Sequence, residues 1–162
     1  MSALRISKLY DDLVYLNFGH TTSQENLNLE KIIQNLLELF ALNIEQKGLH
    51  IKKTITPCIL KANPKEIELL IKNLLDNAIK YAPFNSTISI TLHQCHLSVT
   101  NTLNNEVPKD LQEIFERYKR ANSSSGGFGI GLSIVQKVAF RYGYKIQSSI
   151  QERKITFSIL FK

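Results

Sequence analysis

Long apolar runs are missing from this sequence. No stretch approaches the roughly 20 apolar residues that a membrane-spanning helix needs, and no signal peptide is recognisable. We therefore expect these residues to make no contact with a membrane. Cysteine is also scarce, because only Cys58 and Cys95 occur, with neither metal-ligand nor redox-motif spacing. That pattern predicts isolated thiols in a reducing, cytoplasmic environment.

A concentrated basic segment is missing as well. The formal net charge is +6, but the lysines and arginines are scattered and are not interleaved with aromatic residues. This distribution predicts an ordinary solvated surface and no nucleic-acid partner. With 162 residues, of which 43% are hydrophobic, the chain can form one domain with an ordinary core and a short appendage.

The stretch PKEIELLIKNLLDNAIKYA, residues 64–82, predicts the central helix, with Asn63 in the N-cap position just before it. Its apolar residues recur at spacings of three and four, which buries one wide face of the helix. Asn73 and Asn77 interrupt this pattern, although asparagine is a poor helix former. Being four residues apart, they share one side of the helix, and Lys80 and Tyr81 continue that side one turn later.

These side chains have the chemistry of a phosphate and metal site. Amide oxygens such as those of Asn73 and Asn77 are hard ligands suited to Mg²⁺, and a lysine such as Lys80 can meet a phosphate. The pattern alone leaves a second interpretation open, in which both asparagines are solvated on the outer face of an amphipathic helix.

Periodicity elsewhere predicts further helices and short strands. The predicted helices cover residues 3–18, 28–44, 108–117 and 132–142, and the predicted strands cover residues 25–27, 50–56, 58–61, 87–92, 96–101, 145–150 and 155–161. The fold class is therefore α+β, a two-layer sandwich whose mixed, mostly antiparallel sheet is covered on one face by three helices. Residues 3–18 are predicted to be an N-terminal helix of the type found in bundles, because their apolar residues form a single seam.

Three motifs connect this pattern to a known family. NLLDNAIKYAP, residues 73–83, resembles the asparagine box of the sensor histidine kinases, which belong to the GHKL or Bergerat-fold ATPase superfamily. IFERYKR, residues 114–120, is similar to the phenylalanine box, and GGFGIGLSIV, residues 126–135, is similar to the last glycine box. The three boxes follow in the family's order, and the resemblance covers essentially the whole chain. It implies the Bergerat fold, with ATP and Mg²⁺ as the bound cofactors.

The resemblance also implies roles for individual residues. Asn77 would be the direct Mg²⁺ ligand, with Asn73 beside it on the phosphates or the metal. Lys80 would meet a phosphate, and Tyr81 would cover the sugar or base of the nucleotide. In the hydrolysing relatives a glutamate occupies the position of Asn73 and activates water. Asn73 cannot act as a base, which implies that the γ-phosphate is kept for a protein histidine.

A mobile ATP lid is implied over about residues 117–131. Arg120 would reach the phosphates and Leu132 would pack near the base. Glycines directly before a helix let the backbone approach a phosphate and let the helix N-terminus bind it. The three glycines expected to do so, at the hinge and end of the lid, are Gly127, Gly129 and Gly131.

The first glycine box of the family is altered here. The family pattern is Asp-x-Gly-x-Gly, and the aligned residues 101–105 read NTLNN. Asn101 keeps a carbonyl acceptor for the adenine amino group, whereas Leu103 and Asn105 replace the glycines. We therefore expect ATP to bind detectably but weakly.

The resemblance further divides the chain into three parts. Residues 1–19 would end the second helix of a dimerisation and phosphoacceptor bundle, residues 20–27 would be a linker and edge strand, and residues 28–162 would form the catalytic ATP-binding domain. None of the four histidines lies in a phosphoacceptor-like motif, so the phosphoacceptor is expected in an earlier segment of a larger receptor.

The implied partners are the receptor's own bundle domain and a response regulator. The receptor would be a homodimer at the cytoplasmic side of the inner membrane, while this fragment would be mostly monomeric. Two other interpretations remain open at the level of sequence: a degenerate module that serves as a docking surface, and a serine-directed kinase of the anti-sigma-factor type.

Overall fold

The computed structural model describes residues 23–103 and 126–161. The predicted helices at residues 3–18 and 108–117 lie outside these ranges. No helix in the two described segments is both long enough and apolar enough to cross a membrane.

The main sheet has five strands in the order β2-β4-β5-β7-β6. Their bounds are β2 His50–Ile55, β4 Thr87–His93, β5 His96–Thr102, β6 Lys145–Gln151 and β7 Lys154–Leu160. β2 runs parallel to β4, and the other neighbouring strands are antiparallel. Residues alternate between the two faces, and Ile88, Ile90 and Leu92 of β4 are buried on the face that supports the core.

A second, two-stranded sheet pairs β1 (Glu25–Asn28) with β3 (Ile59–Ala62). The sequence predicts a single sheet with residues 25–27 at its edge, and this part of the prediction is wrong. The reason lies at Thr56 and Pro57. The backbone N–H and hydroxyl of Thr56 both donate to the Leu92 carbonyl, at 2.8 and 2.9 Å. Pro57 has no N–H with which to continue the ladder, so the chain leaves the main sheet there.

Four helices are described: α1 Leu29–Leu39, α2 Ala41–Gln46, α3 Pro64–Tyr81 and α4 Gly126–Tyr142. The single helix predicted over residues 28–44 is instead two helices that meet at Phe40. This residue has a non-helical backbone and a side chain only 1% exposed, so the break lies where its ring packs into the core. α2 ends at Gln46, and Gly48 two residues later has a φ of +61°, the left-handed conformation common after a helix.

α3 is the centre of the core. Its residues are buried on almost every side, between the main sheet and the neighbouring helices α1 and α4. Asn63 caps the helix, because its side-chain oxygen accepts a bond of 3.1 Å from the Glu66 N–H. The predicted α+β sandwich of helices on a mostly antiparallel sheet is therefore confirmed.

The two cysteines are not isolated. Cys58, just before β3, is disulfide-bonded to Cys95 in the turn between β4 and β5, with a Cα–Cα distance of 5.4 Å. The prediction of separate thiols is wrong because 37 residues of sequence separate them while the fold returns the chain to the same place. The spacing therefore gives no support for a reducing environment.

Candidate nucleotide site

The two mid-helix asparagines of α3 face the interior of the protein. Asn73 is 1% exposed and Asn77 is 6% exposed. This burial excludes the interpretation of two solvated asparagines. The Nδ2 of Asn73 donates to the Leu69 carbonyl at 2.8 Å, which offsets part of the cost of burying its amide.

The side-chain amide of Asn77 has a hydrogen-bonding group that the described residues leave without a partner. Its Nδ2 is buried and makes no hydrogen bond within the part of the chain that the structure describes. A buried amide without a partner costs roughly 1–3 kcal/mol, so such a group is retained where a ligand uses it. Because an amide can turn over to exchange its oxygen and nitrogen, Asn77 can offer an oxygen to a cation at the same position. The residue thus fits the role of a Mg²⁺ ligand.

Lys47 fixes the last turn of α3. Its Nζ donates to the carbonyls of Ile79 and Lys80, at 2.8 and 3.2 Å, where helix carbonyls otherwise lack partners. Burial lowers the pKa of Lys47. The exposed Nζ of Lys80 lies 5.5 Å from the centre of the Tyr81 ring, a cation–π distance. The two residues predicted to contact the nucleotide are therefore adjacent at the end of a fixed helix.

A polar network joins the start of α3 to the end of α4. The Asn63 N–H donates to the Tyr142 hydroxyl at 3.0 Å, and that hydroxyl donates to the Glu66 carboxylate at 2.8 Å. In an ordinary capping box the glutamate would accept directly from the Asn63 N–H. Here Tyr142 is inserted between them. Arg141 completes the network with an ion pair of 3.3 Å to Glu66, whose side chain is 1% exposed.

Tyr142 stays protonated in this position. Burial raises the pKa of its hydroxyl, and the bond to Glu66 adds to the shift. The tyrosine stacks on Tyr144 with ring centres 5.2 Å apart. The sequence pattern predicts Asn63 as a cap but does not predict roles for Glu66, Arg141 and Tyr142. The Asn63-x-x-Glu66 spacing was the available signal, whereas nothing local pointed to the residues on α4.

This network makes α3 and α4 antiparallel neighbours. Asn77 lies 11 residues after Glu66, and Gly131 lies 11 residues before Tyr142. At a rise of 1.5 Å per residue both separations are about 16 Å, so Gly131 is level with Asn77 along the pair of helices. The fold therefore brings the glycine-rich half of α4 to the half of α3 that carries the predicted site.

The sequence predicts that the glycines directly precede the helix, and this prediction is wrong. α4 begins at Gly126, so Gly127, Gly129 and Gly131 lie within its first turns. Their composition disfavours a helix, but the buried residues further along α4, such as Val135 and Val138, anchor it against the core and the helical backbone extends back from them. Leu132 lies on the same helix.

Asn101 lies on β5 beneath α3, and its side chain is 2% exposed. Its Nδ2 donates to the Thr102 carbonyl at 2.8 Å, a bond that does not use its side-chain oxygen. Leu103 packs against the core, and its N–H donates to the Arg153 carbonyl at 2.7 Å. The position of the lost glycine is thus occupied by a residue that extends the strand.

The remaining predicted residues are not placed. Arg120 and Asn105, together with most of the predicted lid, lie outside the described residues. Within the described ranges, no group of three or more His, Cys, Asp or Glu side chains is arranged to hold a metal. Any cation at this site would depend on amide oxygens and on the phosphates of its ligand.

The comparison with protein families decides the classification. The family described as histidine kinase-, DNA gyrase B- and HSP90-like ATPases matches residues 62–162, more than half of the chain. The chain belongs to this ATPase family. Its match begins just before α3 and includes every placed residue of the candidate site, so the module is an ATP-binding catalytic domain.

Known relatives of this ATPase domain are sensor kinases. The probable sensor protein PcoS of Escherichia coli is 29% identical over 96% of the chain and 36% of its own length. The sensor protein QseC of Escherichia coli K12 is 30% identical over 88% of the chain and 33% of its own length. The chain spans about a third of the length of these relatives. The resemblance to sensor histidine kinases is thereby confirmed.

Solved structures show the same fold. The catalytic domain of the histidine kinase ThkA has a TM-score of 0.72 at 24% identity, over 85% of this chain and 94% of that one. The cytoplasmic segment of the histidine kinase QseC has a TM-score of 0.71 at 20% identity, over 100% of this chain and 95% of that one.

Proposed function

We infer that this domain positions Mg·ATP for phosphoryl transfer to a histidine on a separate helical-bundle domain of the same receptor, in a two-component pathway. The observation that carries the proposal is the pair of buried amides on α3, Asn73 and Asn77, level with the glycine-rich half of α4. Lys80 adds a positive charge at the end of the same helix. Buried amides, a lysine and a glycine-rich helix start together suit a polyphosphate with its cation.

Each residue has a distinct task in this proposal. Asn77 holds the cation, which when bound neutralises charge on the phosphates. Asn73 lies one turn away and orients the phosphates or the same ion, and Lys80 contacts a phosphate oxygen. Catalysis of this kind is mostly positioning and electrostatic stabilisation, for which these rigidly held groups are suited.

The acceptor is proposed to be a protein side chain. Asn73 stands on the buried side of α3 and has no basic carboxylate with which to activate water. The bundle domain would then supply the nucleophilic histidine, and a response regulator would receive the phosphoryl group. This assignment places the domain on the cytoplasmic side of the membrane that carries the receptor.

The transfer can be measured directly. We expect γ-labelled ATP to leave no acid-labile label on this chain, and to label a histidine-bearing bundle domain of a sensor kinase supplied separately. Acid-labile label on the chain alone would contradict the proposal and indicate one of its own four histidines. Failure to bind ATP at all would favour the docking-surface interpretation.

Asn101 is proposed to select adenine. The Asn101 amide oxygen accepts from the adenine amino group, whereas guanine presents a carbonyl at that position. The Asn101 Nδ2 that could donate to this carbonyl is already bonded to the Thr102 carbonyl, so both acceptors would be left without a donor. We expect Asn101→Leu to reduce ATP affinity by at least roughly tenfold, the equivalent of one lost buried hydrogen bond. Titration calorimetry with ATP and GTP measures the effect. Equal affinity of the unmodified protein for the two nucleotides would contradict this assignment.

A further inference from the structure

We propose that Cys58 and Cys95 form a reversible oxidation site whose substrates are low-molecular-weight disulfides such as glutathione disulfide. Oxidation of this site stabilises the catalytic domain. The proposal concerns the end of the domain opposite the nucleotide site and does not depend on nucleotide binding.

The fold holds the two cysteines close together and buried. Cys58 is 2% exposed and Cys95 is 6% exposed, and their Cα atoms are 5.4 Å apart, within the usual range for a disulfide. The Cys58 carbonyl accepts from the Leu29 N–H at the start of α1, and the Cys95 carbonyl accepts from the Phe161 N–H after β7. Backbone bonds from separate parts of the chain thus hold both cysteines in position.

Cys95 has a backbone conformation that is unfavourable for a cysteine. Gln94 and Cys95 form a two-residue hairpin turn, with φ of +50° and +58°. Such turns favour asparagine and glycine, because a side chain with a Cβ is strained at positive φ. The conformational preference of cysteine therefore gives no reason for its presence here. The ability of its thiol to form a bond with Cys58 does explain why a cysteine occupies this position.

The bond between the two cysteines encloses a long segment of the chain. The 37-residue separation between the cysteines includes the whole of α3. Closing a loop of this length removes many conformations from the unfolded chain and so stabilises the folded domain. This step rests on the proposed function, which places the domain in the cytoplasm: disulfides in proteins of reducing compartments are usually transient and redox-sensing, which is the behaviour proposed for this pair.

The exchange balances without a further reactant. One cysteine thiolate attacks a sulfur of the small disulfide, forming a mixed disulfide and releasing one small thiol. The second cysteine thiolate then attacks the protein sulfur of that mixed disulfide and releases the second small thiol. The protein loses two hydrogen atoms and two electrons, and the small disulfide gains them. Because Gln94 and its neighbours His93 and His96 are exposed, opening of this turn gives the reagent its access.

Because the cysteine pair is far from the nucleotide site, its oxidation should change the stability of the domain but not its affinity for ATP. Cys95 directly precedes β5 and Asn101 lies near its far end, six residues away. At about 3.3 Å per residue of strand, this is roughly 20 Å. ATP affinity should therefore differ by less than about twofold between the reduced and oxidised proteins, within the scatter expected for distant sites.

The test equilibrates the whole chain with mixtures of reduced and oxidised glutathione, followed by acid quench and alkylation with a heavy maleimide. We expect a single transition from doubly alkylated to unmodified monomer as the oxidised fraction rises. The melting temperature of the oxidised protein should be higher by roughly 10 °C. Cys58→Ser plus Cys95→Ser should abolish both changes.

A matched pair of glycine variants separates the thiol from the turn. Arg153 occupies the equivalent left-handed position, φ +63°, in the β6–β7 turn. Arg153→Gly should raise the melting temperature in either glutathione buffer. Cys95→Gly should raise it in reducing buffer but leave the variant less stable than the unmodified protein in oxidising buffer. Alkylation of both cysteines at every glutathione ratio, or oxidation only to linked dimers, would overturn the proposal.

Discussion

Asn77→Ala is expected to abolish most of the Mg²⁺-dependent binding of ATP, at least about a hundredfold in affinity, while making the nucleotide-free protein more stable. Loss of a direct ligand should exceed the 10- to 100-fold typical of residues that only support a metal ligand. The gain in stability has two sources. Alanine favours a helix by about 0.5 kcal/mol over asparagine, and the buried Nδ2 without a hydrogen bond is removed.

A fall in ATP affinity together with a rise in stability distinguishes a binding residue from a structural one. Calorimetric titration with ATP, in the presence of Mg²⁺ and then of a chelator, gives the first quantity, and thermal unfolding gives the second. Asn35→Ala is the matched control, because Asn35 is a mid-helix asparagine of α1 with an exposed side chain. It should gain helix stability and leave affinity unchanged. Unaltered Mg·ATP affinity in Asn77→Ala would show that the metal assignment is wrong.

Glu66→Ala is expected to lower the free energy of unfolding by about 2–4 kcal/mol, because it removes the acceptor of a charge-assisted hydrogen bond in a buried site. Tyr142 would lose the acceptor for its hydroxyl, and Arg141 would lose its carboxylate at 3.3 Å. The side chain of Arg141 is 34% exposed, so water compensates part of that loss and the ion pair is the smaller contribution.

Urea unfolding measures this effect, and two variants support its interpretation. Glu68→Ala changes an exposed carboxylate two residues later on α3 and should stay within about 0.5 kcal/mol of the unmodified protein. Tyr142→Phe keeps the stacking on Tyr144 but loses the hydroxyl, and in combination with Glu66→Ala it should cost less than the sum of the two single changes. Equal effects of Glu66→Ala and Glu68→Ala would contradict the described network.

The sequence by itself determined α3, the α+β class and the positions of most strands along the chain. Each depends on periodicity within one segment: spacings of three and four for the helix, alternation for β4 and β5, and a capping asparagine before Pro64. The same local reading identified Asn73 and Asn77, because a polar residue that breaks an apolar pattern is visible without knowledge of its neighbours. The family resemblance added Asn101, whose role no local pattern indicates.

Only the tertiary structure decided which distant residues meet. Glu66 and Tyr142 are 76 positions apart, and Cys58 and Cys95 are 37 apart. Neither pairing has a signature in sequence, since each partner taken alone is an ordinary polar or small residue. The break at Phe40 and the separate β1–β3 sheet belong to the same category. The break at Phe40 lies where its ring is buried, and the separate sheet forms where the chain leaves the main sheet at Pro57. Both depend on packing against elements remote in sequence, which overrides local propensity.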